Sequence, residues 1–218
     1  MTRRLPKPRN LMVVAPHADD EAIGAYGWIA QLRRRGVAVR ILVVTDGAAS
    51  HPSSWRWPPS RLVRERQRET RREMRRIGVT ADRIMFLGLP DGGLSAMATR
   101  ARRRIAGVVR RASVPLTLLG PAPGDDHPDH RIVADSLARC RRAGLHRLGY
   151  PVWPAGRTPP HSIALPLGAQ ARLAKRLAIL RYRTQAGRIT DDPAGFSMTR
   201  AQVAAFSRPC ETFEMEPR

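Results

Sequence analysis

The sequence is poor in cysteine, in lysine and in long apolar runs, and each shortage excludes a class of protein. Its two cysteines, Cys140 and Cys210, form neither a disulfide framework nor a CxxC metal site. No run approaches the roughly 20 apolar residues that a membrane-spanning helix needs. The basic N-terminus "MTRRLPKPRN" precedes an apolar run that is too short for a secretory signal and lacks a small-residue cleavage site. We therefore expect a protein of the reducing cytoplasm, without a transmembrane segment.

Basic residues dominate the charge, and almost all of them are arginine. The formal net charge is +21, and all but two of the 39 Lys and Arg residues are Arg. Such an excess is typical of nucleic-acid-binding proteins, but it also suits an anionic substrate, a membrane surface or compositional drift toward arginine. The arginines are spread over many segments, and no zinc-finger, RNA-binding or basic-zipper motif accompanies them. Nucleic acid is therefore the less favoured partner.

Short apolar runs alternate with helical patterns along the chain. The strand-like runs are continuous rather than alternating, as is typical of strands covered on both faces, and they occupy 11–16, 38–47, 83–89 and 115–121. The helical patterns occupy 21–35, 60–77, 99–112, 131–143, 169–182 and 199–206. This order predicts an α/β fold, a Rossmann-like three-layer sandwich with a mostly parallel central sheet. We expect one domain over 1–218, with a core at about 10–186 and a C-terminal extension at 187–218.

Two clusters of histidine and acidic residues directly follow predicted strands. "PHADDEAIG" carries His17, Asp19, Asp20 and Glu21 after the first strand, and "GDDHPDHR" follows a later one. In an open parallel sheet, ligands bind beyond the carboxyl ends of the strands, so we expect both clusters at the same edge of the sheet. Adjacent carboxylates repel one another unless a positive charge lies among them. The pattern therefore predicts a cation site.

A divalent metal would provide that positive charge. A catalytic zinc ion takes three N or O ligands from the protein and leaves one position open. His17 and Asp20 can turn inward together at the end of the first strand, and His130 can complete a set of two histidines and one carboxylate. Asp19, the spare acid, is suited to accept a proton from water. Zn²⁺ is the expected cofactor, and another divalent metal such as Fe²⁺ also suits these ligands.

The second cluster also has the features of a helix N-terminus. Pro128 suits the first turn of a helix, with Asp126 or His127 as the N-cap. His127 and His130 would then lie on one helical face and could reach the same cavity. Either cluster alone is a weak signal, because Asp is common at helix N-caps and in turns. Their occurrence together at two strand ends favours the metal site.

Five segments together resemble one enzyme family. "PHADDEAIG" resembles the (A/P)HPDDE signature of the PIG-L/LmbE-like deacetylases, zinc-dependent enzymes that remove N-acetyl groups from amino sugars. "RERQRETRREMRRIGV", "FLGLPDGGL", "DDHPDHR" and "KRLAILRYRTQ" are similar to further motifs of this family and follow in its order over roughly residues 10–186. Ala18 stands where the family usually has proline. Asp125 and Asp126 stand where some members have a tyrosine that assists the oxyanion.

The resemblance implies roles for the residues of both clusters. By position, His17, Asp20 and His130 become the zinc ligands, and Asp19 becomes the general base that activates water. The resemblance also implies that the protein hydrolyses an acetamide.

Four further residues gain a role from the same resemblance. His127 would stabilise the oxyanion of the tetrahedral intermediate, with Asp129 holding its ring protonated and oriented. Arg66 and Asp91 fall where family members contact the sugar. Arg66 lies among many arginines, where a solvated helix face gives the same pattern, and Asp91 lies in a PDGG turn, where Asp is common.

The expected function is zinc-dependent removal of an N-acetyl group from an amino sugar or an N-acetylglucosaminyl conjugate, a small-molecule substrate. One alternative is an amidase that cleaves a larger amide-linked conjugate with the same site. Another is a basic nucleic-acid-binding protein with a vestigial site. Trp55 and Trp57, in the loop at 48–59, suit either a substrate-facing platform or a structural plug. Nothing in the sequence indicates an oligomeric state.

Overall fold

The structure, a computed structural model that describes residues 5–215, is built on one seven-stranded sheet. The strands are β1 (Asn10–Ala15), β2 (Ala38–Thr45), β3 (Ile84–Leu89), β4 (Leu116–Pro121), β5 (Leu145–Tyr150), β6 (Ser162–Pro166) and β7 (Cys210–Met215). Their order across the sheet is β3-β2-β1-β4-β5-β7-β6. The first five strands are parallel, and β7 runs antiparallel to both β5 and β6. The predicted α/β fold with a mostly parallel sheet is confirmed.

Helices cover both faces of the sheet. They are α1 (Asp20–Arg34), α2 (Pro59–Arg76), α3 (Ala98–Arg110), α4 (Pro128–Ala138), α5 (Ala169–Arg181) and α6 (Arg200–Phe206). One apolar cluster joins the Val13 side of β1 to residues of α1, α2, α5 and α6, and a second joins its Val14 side to residues of α3 and α4. Successive side chains of a strand point to opposite faces, so β1 serves both clusters. This double burial explains its continuous apolar sequence.

The sequence patterns did not predict three of the strands, all in the later part of the chain. β5, "LHRLGY", and β7, "CETFEM", mix polar and apolar residues, and β6 lies inside a proline-rich segment. The helix expected at 131–143 begins earlier, at Pro128, and ends at Ala138. Among residues 5–215, no helix has the length and apolar character that crossing a bilayer requires.

Helix α1 is broken within its first half, and a distant carboxylate repairs the break. Ala25 has non-helical backbone angles (φ −149°, ψ 16°). The backbone N–H groups of Gly27 and Trp28 donate to the Glu211 carboxylate, each at 2.8 Å. Glu211 therefore acts as an N-terminal cap for the second part of α1, where the positive end of the helix dipole favours an anion.

A buried ion pair completes this contact. Lys175 Nζ of α5 lies 2.9 Å from Glu211 Oε1, and both side chains are almost fully buried. The three contacts tie β7 and α5 to α1, the helix that begins beside the two clusters. A partnered buried charge of this kind is costly to leave alone, because removing one partner leaves the other without compensation.

We expect Glu211→Leu to lower the free energy of unfolding by about 3 kcal/mol or more, because it leaves the Lys175 ammonium and two backbone N–H groups unpaired. Urea denaturation measures the change. Glu214→Leu is the matched control, since Glu214 lies on the same strand, is half-buried, and makes no side-chain hydrogen bond within residues 5–215; its change should stay within about 1 kcal/mol. Equal losses in both variants would contradict the capping role.

Candidate functional site

The two clusters meet at the point where the strand order of the sheet reverses direction. The chain runs from β1 outward to β2 and β3 on one side, and from β4 outward to β5 on the other. β1 and β4 are neighbours, so their carboxyl ends form the crevice in which open α/β sheets bind ligands. His17 to Asp20 follow β1, and Asp125 to His130 follow β4. The expectation that both clusters project from one edge is confirmed.

Three side-chain atoms converge on one point in this crevice. His17 Nδ1 lies 3.2 Å from His130 Nε2 and 3.3 Å from Asp20 Oδ2. His130 Nε2 lies 3.2 Å from the same Asp20 oxygen. All three residues are buried. The atoms therefore form a nearly equilateral triangle of two nitrogens and one oxygen.

This triangle has the dimensions of a tetrahedral metal site. Four ligands at about 2.1 Å from a zinc ion are about 3.4 Å apart. The electrostatics agree with a cation there. Burial alone would raise the pKa of Asp20 and lower that of His17. The His130 and His17 imidazoles reverse the first shift, and the carboxylates of Asp129, Asp20 and Asp91 reverse the second. For His130 the neighbouring carboxylates outweigh burial and raise the pKa to about 9. The site thus stabilises positive charge, and its donors fit a divalent metal.

Two further groups of donor atoms lie close enough together to bind an ion. One replaces Asp20 with His127, and the other combines His17 with Asp91 and Asp129; in each group the ligand atoms lie within 4.8 Å of one another. In the second group, the Asp129 oxygens already accept the backbone N–H groups of Gly92 and Leu94. The set of His17, Asp20 and His130, whose three atoms lie 3.2–3.3 Å apart, leaves His127 free for another role.

His17 is held from its outer side by two carboxylates. Its Nε2 lies 3.1 Å from Asp91 Oδ1 and 3.4 Å from Asp129 Oδ2. Burial opposes ionisation of Asp91, but the His17 contact outweighs it and lowers the pKa of Asp91 to about 2. The resemblance assigned Asp129 to the ring of His127. In the structure its carboxylate contacts His17 instead, because it accepts hydrogen bonds from the backbone N–H groups of Gly92 and Leu94.

His127 caps helix α4, which selects it over Asp126 as the N-cap. Its Nδ1 accepts the backbone N–H of Asp129 at 3.2 Å. Burial and the nearby imidazoles of His17 and His130 lower the pKa of His127. A neutral ring whose Nδ1 accepts a hydrogen bond carries its proton on Nε2. His127 is therefore oriented as a hydrogen-bond donor.

Asp19 has the least usual backbone conformation of the site. Its φ of 136° and ψ of −27° lie in a region that residues other than glycine rarely adopt. Its backbone N–H donates to Glu21 Oε2 at 3.1 Å, and Tyr182 donates to the other Glu21 oxygen at 2.6 Å. Strain of this kind persists only where surrounding contacts impose it, and it is concentrated at functional sites. The buried Glu21 carboxylate provides such a contact.

Arg66 is buried beneath Asp19 instead of projecting as a free cation. Its guanidinium donates to the carbonyl oxygens of Ala18 at 3.0 Å and Gly47 at 3.2 Å, and lies 3.7 Å from Asp19 Oδ1. Burial raises the pKa of Asp19 to about 8, although the Arg66 charge acts against this shift. The alternative reading of Arg66 as a solvated helix-face residue is thus wrong.

A family model described as PIG-L, GlcNAc-PI de-N-acetylase, matches residues 12–140 of the chain. The matched segment is more than half of the sequence and contains both clusters of the site. The chain belongs to the PIG-L family.

Two curated relatives, each 30% identical to this PIG-L family member, carry deacetylase names. One is the 1D-myo-inositol 2-acetamido-2-deoxy-α-D-glucopyranoside deacetylase of Kineococcus radiotolerans, and the match covers 62% of this chain and 45% of the relative. The other is the diacetylchitobiose deacetylase of Thermococcus kodakarensis, with coverage of 56% and 45%. The matches thus span a little under half the length of either relative.

The fold also resembles that of a solved deacetylase. The N,N′-diacetylchitobiose deacetylase of Pyrococcus horikoshii superposes with a TM-score of 0.73 over 96% of this chain and 84% of that one. At 20% sequence identity, this likeness shows a shared fold.

The site of this PIG-L family member opens into a cavity of about 620 Å³. Asp19, His127, Arg66 and Asp91 line it, so four of the residues that the sequence singled out share one cavity with His17 and Asp20 of the triangle. The two tryptophans of the 48–59 loop do not line it. Trp57 is buried against Leu62 and Ile189, as a structural plug, and Trp55 is 74% exposed.

Asp125 is a residue of the site that the sequence reading missed. Its Oδ1 lies 3.2 Å from His130 Nδ1, the nitrogen that faces away from the triangle. Its oxygens also accept the backbone N–H groups of His127, Val152 and Trp153 at 2.9–3.1 Å. A carboxylate on the outer nitrogen of a ligand histidine fixes the ring and its tautomer. The signal in the sequence was the unusual pair of aspartates before the HPDH motif.

We expect Asp125→Asn to weaken metal binding by about 10- to 100-fold, because the outer nitrogen of His130 loses its anionic partner. Competition with a chromogenic chelator measures the affinity. Asp126→Asn is the matched control, because Asp126 is adjacent and exposed and its side chain makes no hydrogen bond or ion pair within residues 5–215. An Asp125→Asn protein with the affinity of this control would contradict the role of Asp125.

Proposed function

We propose that this PIG-L family member is a metal-dependent hydrolase that removes an N-acetyl group from an amino sugar or an N-acetylglucosaminyl conjugate. The observation that carries the proposal is the triangle of His17 Nδ1, Asp20 Oδ2 and His130 Nε2, with side lengths of 3.2–3.3 Å. The carboxylate of Asp19, which is not part of the triangle, lines the same cavity. Family membership and the names of the relatives support the substrate class.

In this proposal His17, Asp20 and His130 hold the metal, which we take to be Zn²⁺ or another divalent ion such as Fe²⁺. Once bound there, the ion would supply positive charge that polarises an amide carbonyl and makes water more acidic. Two nitrogens and one carboxylate oxygen are a common set for a hydrolytic zinc, because they leave one position open.

Asp19 is proposed as the general base. Its buried carboxylate takes a proton from the water that attacks the acetamide carbon. The carbon–nitrogen bond then breaks, and Asp19 returns that proton to the nitrogen, so that acetate and a free amine leave. The constrained backbone of Asp19 and the nearby Arg66 guanidinium fix the carboxylate for both steps.

His127 is proposed to stabilise the negative charge that develops on the acetamide oxygen. Because its Nδ1 is engaged with the backbone of Asp129, the proton on Nε2 is available to the substrate. Asp129 contributes through this backbone contact and through its carboxylate, which orients His17. The contact of Arg66 and Asp91 with the sugar remains part of the proposal, supported by their position in the cavity wall.

The remaining expectations follow from the same site. A small-molecule amino-sugar conjugate is the proposed partner, and nucleic acid is not, because every position of the metal-binding set is present rather than decayed. A cytoplasmic location remains the prediction from cysteine usage, and both cysteines are free thiols in the structure.

The roles of ligand and base can be separated by substitution. We expect His130→Ala to lose the metal and turnover together, because one of three ligands is removed. Asp19→Asn should keep the metal and lower kcat by about 100-fold or more, because only proton transfer is lost. Metal content by mass spectrometry and initial rates are the two measurements. His146→Ala, at an exposed position on β5, is the control and should match the parent protein in both. Near-normal turnover of Asp19→Asn would defeat its assignment as base.

The activity itself is tested by acetate release. Incubation with N-acetylglucosamine and its glycosides should release acetate and a primary amine in equal amounts. A chelator should abolish the release, and added Zn²⁺ or Fe²⁺ should restore it. Larger amide-linked conjugates, tested in parallel, discriminate the amidase alternative. Absence of acetate from every N-acetyl compound, with metal bound, would overturn the proposed function.

A further inference from the structure

The cavity extends well beyond the metal-binding triangle, to an aromatic wall that the family model does not cover. We call the rings of Trp153 and Phe196 the aromatic wall; both are half-buried, and both line the cavity. They belong to loops after β5 and before α6, outside the matched residues 12–140. His17 and Asp19 line the same cavity, so a ligand can contact both regions at once.

Packing and hydrogen bonds fix the aromatic wall. Trp153 meets Phe196 edge-to-face at 6.1 Å between ring centroids and meets Phe206 in the same way at 5.4 Å. The Trp153 backbone N–H donates to the Asp125 carboxylate at 2.9 Å, and the Phe196 N–H donates to the Ser50 carbonyl at 2.8 Å. The wall is therefore tied both to the site and to the loop after β2, and its rings are ordered before a ligand arrives.

The 48–59 loop and the segment before Phe196 brace each other. Asp192 accepts the backbone N–H of Ser53 at 2.9 Å, and Asp191 accepts the Ser54 hydroxyl at 2.9 Å. Gly195 packs so closely on His51 that a Cβ there would lie 2.3 Å from a ring carbon. These contacts hold Phe196 at the cavity and leave no room for a side chain at position 195.

The charges that line the cavity are mostly acidic, in contrast to the protein as a whole. Asp19, Asp20 and Asp91 line it, and among the lining residues that the structure describes, Arg66 is the one with a permanent positive charge. The Arg66 guanidinium is buried, and its two terminal nitrogens donate to the carbonyl oxygens of Ala18 and Gly47. Proteins recognise phosphate with available arginine or lysine donors. The net charge of +21 therefore lies on other surfaces.

Resting on the proposed function, we infer that Trp153 and Phe196 form an acceptor subsite for an uncharged aglycone with a flat apolar face. Two aromatic rings offer a large, rigid apolar surface to such a group. An aryl group and a second sugar ring share this chemistry. A phosphate-linked acceptor lacks it, and among the described residues that line the cavity it would find no arginine or lysine beside the aromatic wall to pair with.

Acetate release from four matched compounds tests the inference on the metal-loaded protein: N-acetylglucosamine, its phenyl β-glycoside, diacetylchitobiose and N-acetylglucosamine 1-phosphate. We expect kcat/KM for the phenyl glycoside or the disaccharide to exceed that for the phosphate by about tenfold or more. The comparison of the phenyl glycoside with the disaccharide distinguishes an aryl from a sugar acceptor. A phosphate that is the best substrate of the four would overturn the inference.

Substitution of a residue of the aromatic wall tests whether the wall causes the preference for one acceptor. Phe196→Leu keeps an apolar side chain of similar size but removes the flat ring, and should lower the ratio of kcat/KM for the preferred glycoside to that for N-acetylglucosamine by about three- to tenfold. Trp55→Ala is the control, because Trp55 is exposed and does not line the cavity; it should leave this ratio unchanged. Equal ratios in the two variants would contradict the role of Phe196.

A binding measurement keeps this inference separate from the proposed activity. Titration calorimetry with phenyl β-glucosaminide, the amine that would be produced, reports the acceptor subsite without turnover. We expect binding that weakens in Phe196→Leu and not in Trp55→Ala. Binding without acetate release from any compound would leave the subsite standing and overturn the proposed function. Acetate release without this binding pattern would do the reverse.

Discussion

The close approach of two imidazoles and a carboxylate at the carboxyl ends of β1 and β4 is the constraint around which this protein is arranged. Such a concentration of buried polar groups is unfavourable unless each is paired or shares a cation. The sheet brings His17, Asp20 and His130 together because β1 and β4 are neighbours at the point where the strand order changes direction. Their positions depend on backbone geometry rather than on flexible loops.

A second layer of contacts keeps this arrangement in place. Asp125 supports His130 from behind, while Asp91 and Asp129 support His17. These acids are themselves anchored by backbone N–H groups, so their oxygens have little freedom to move. These contacts set the orientation of the His17 and His130 rings and connect them to the surrounding loops.

The C-terminal part of the chain supports the site and supplies part of the cavity wall. Glu211 on β7 repairs the broken helix α1, and Tyr182 after α5 holds the Glu21 carboxylate that constrains Asp19. Phe196 and Trp153 form the outer wall. The residues of the triangle thus lie within the matched residues 12–140, while part of their support and the proposed acceptor surface come from the residues that follow.

The local patterns of the sequence were sufficient for the fold class and for the centre of the site. Continuous apolar runs identify strands buried on two faces, and a His–Asp cluster that directly follows such a strand lies at the carboxyl edge of a parallel sheet. The patterns were not sufficient for β5, β6 and β7, because antiparallel and outer strands mix polar with apolar residues and their pairing is set by partners distant in sequence. Nor could they show that Asp129 faces His17, that Asp125 supports His130, or that Trp153 and Phe196 meet across the cavity. Those contacts join residues far apart along the chain, and only the packed tertiary structure determines which side chains the sheet and its loops bring within reach of one another.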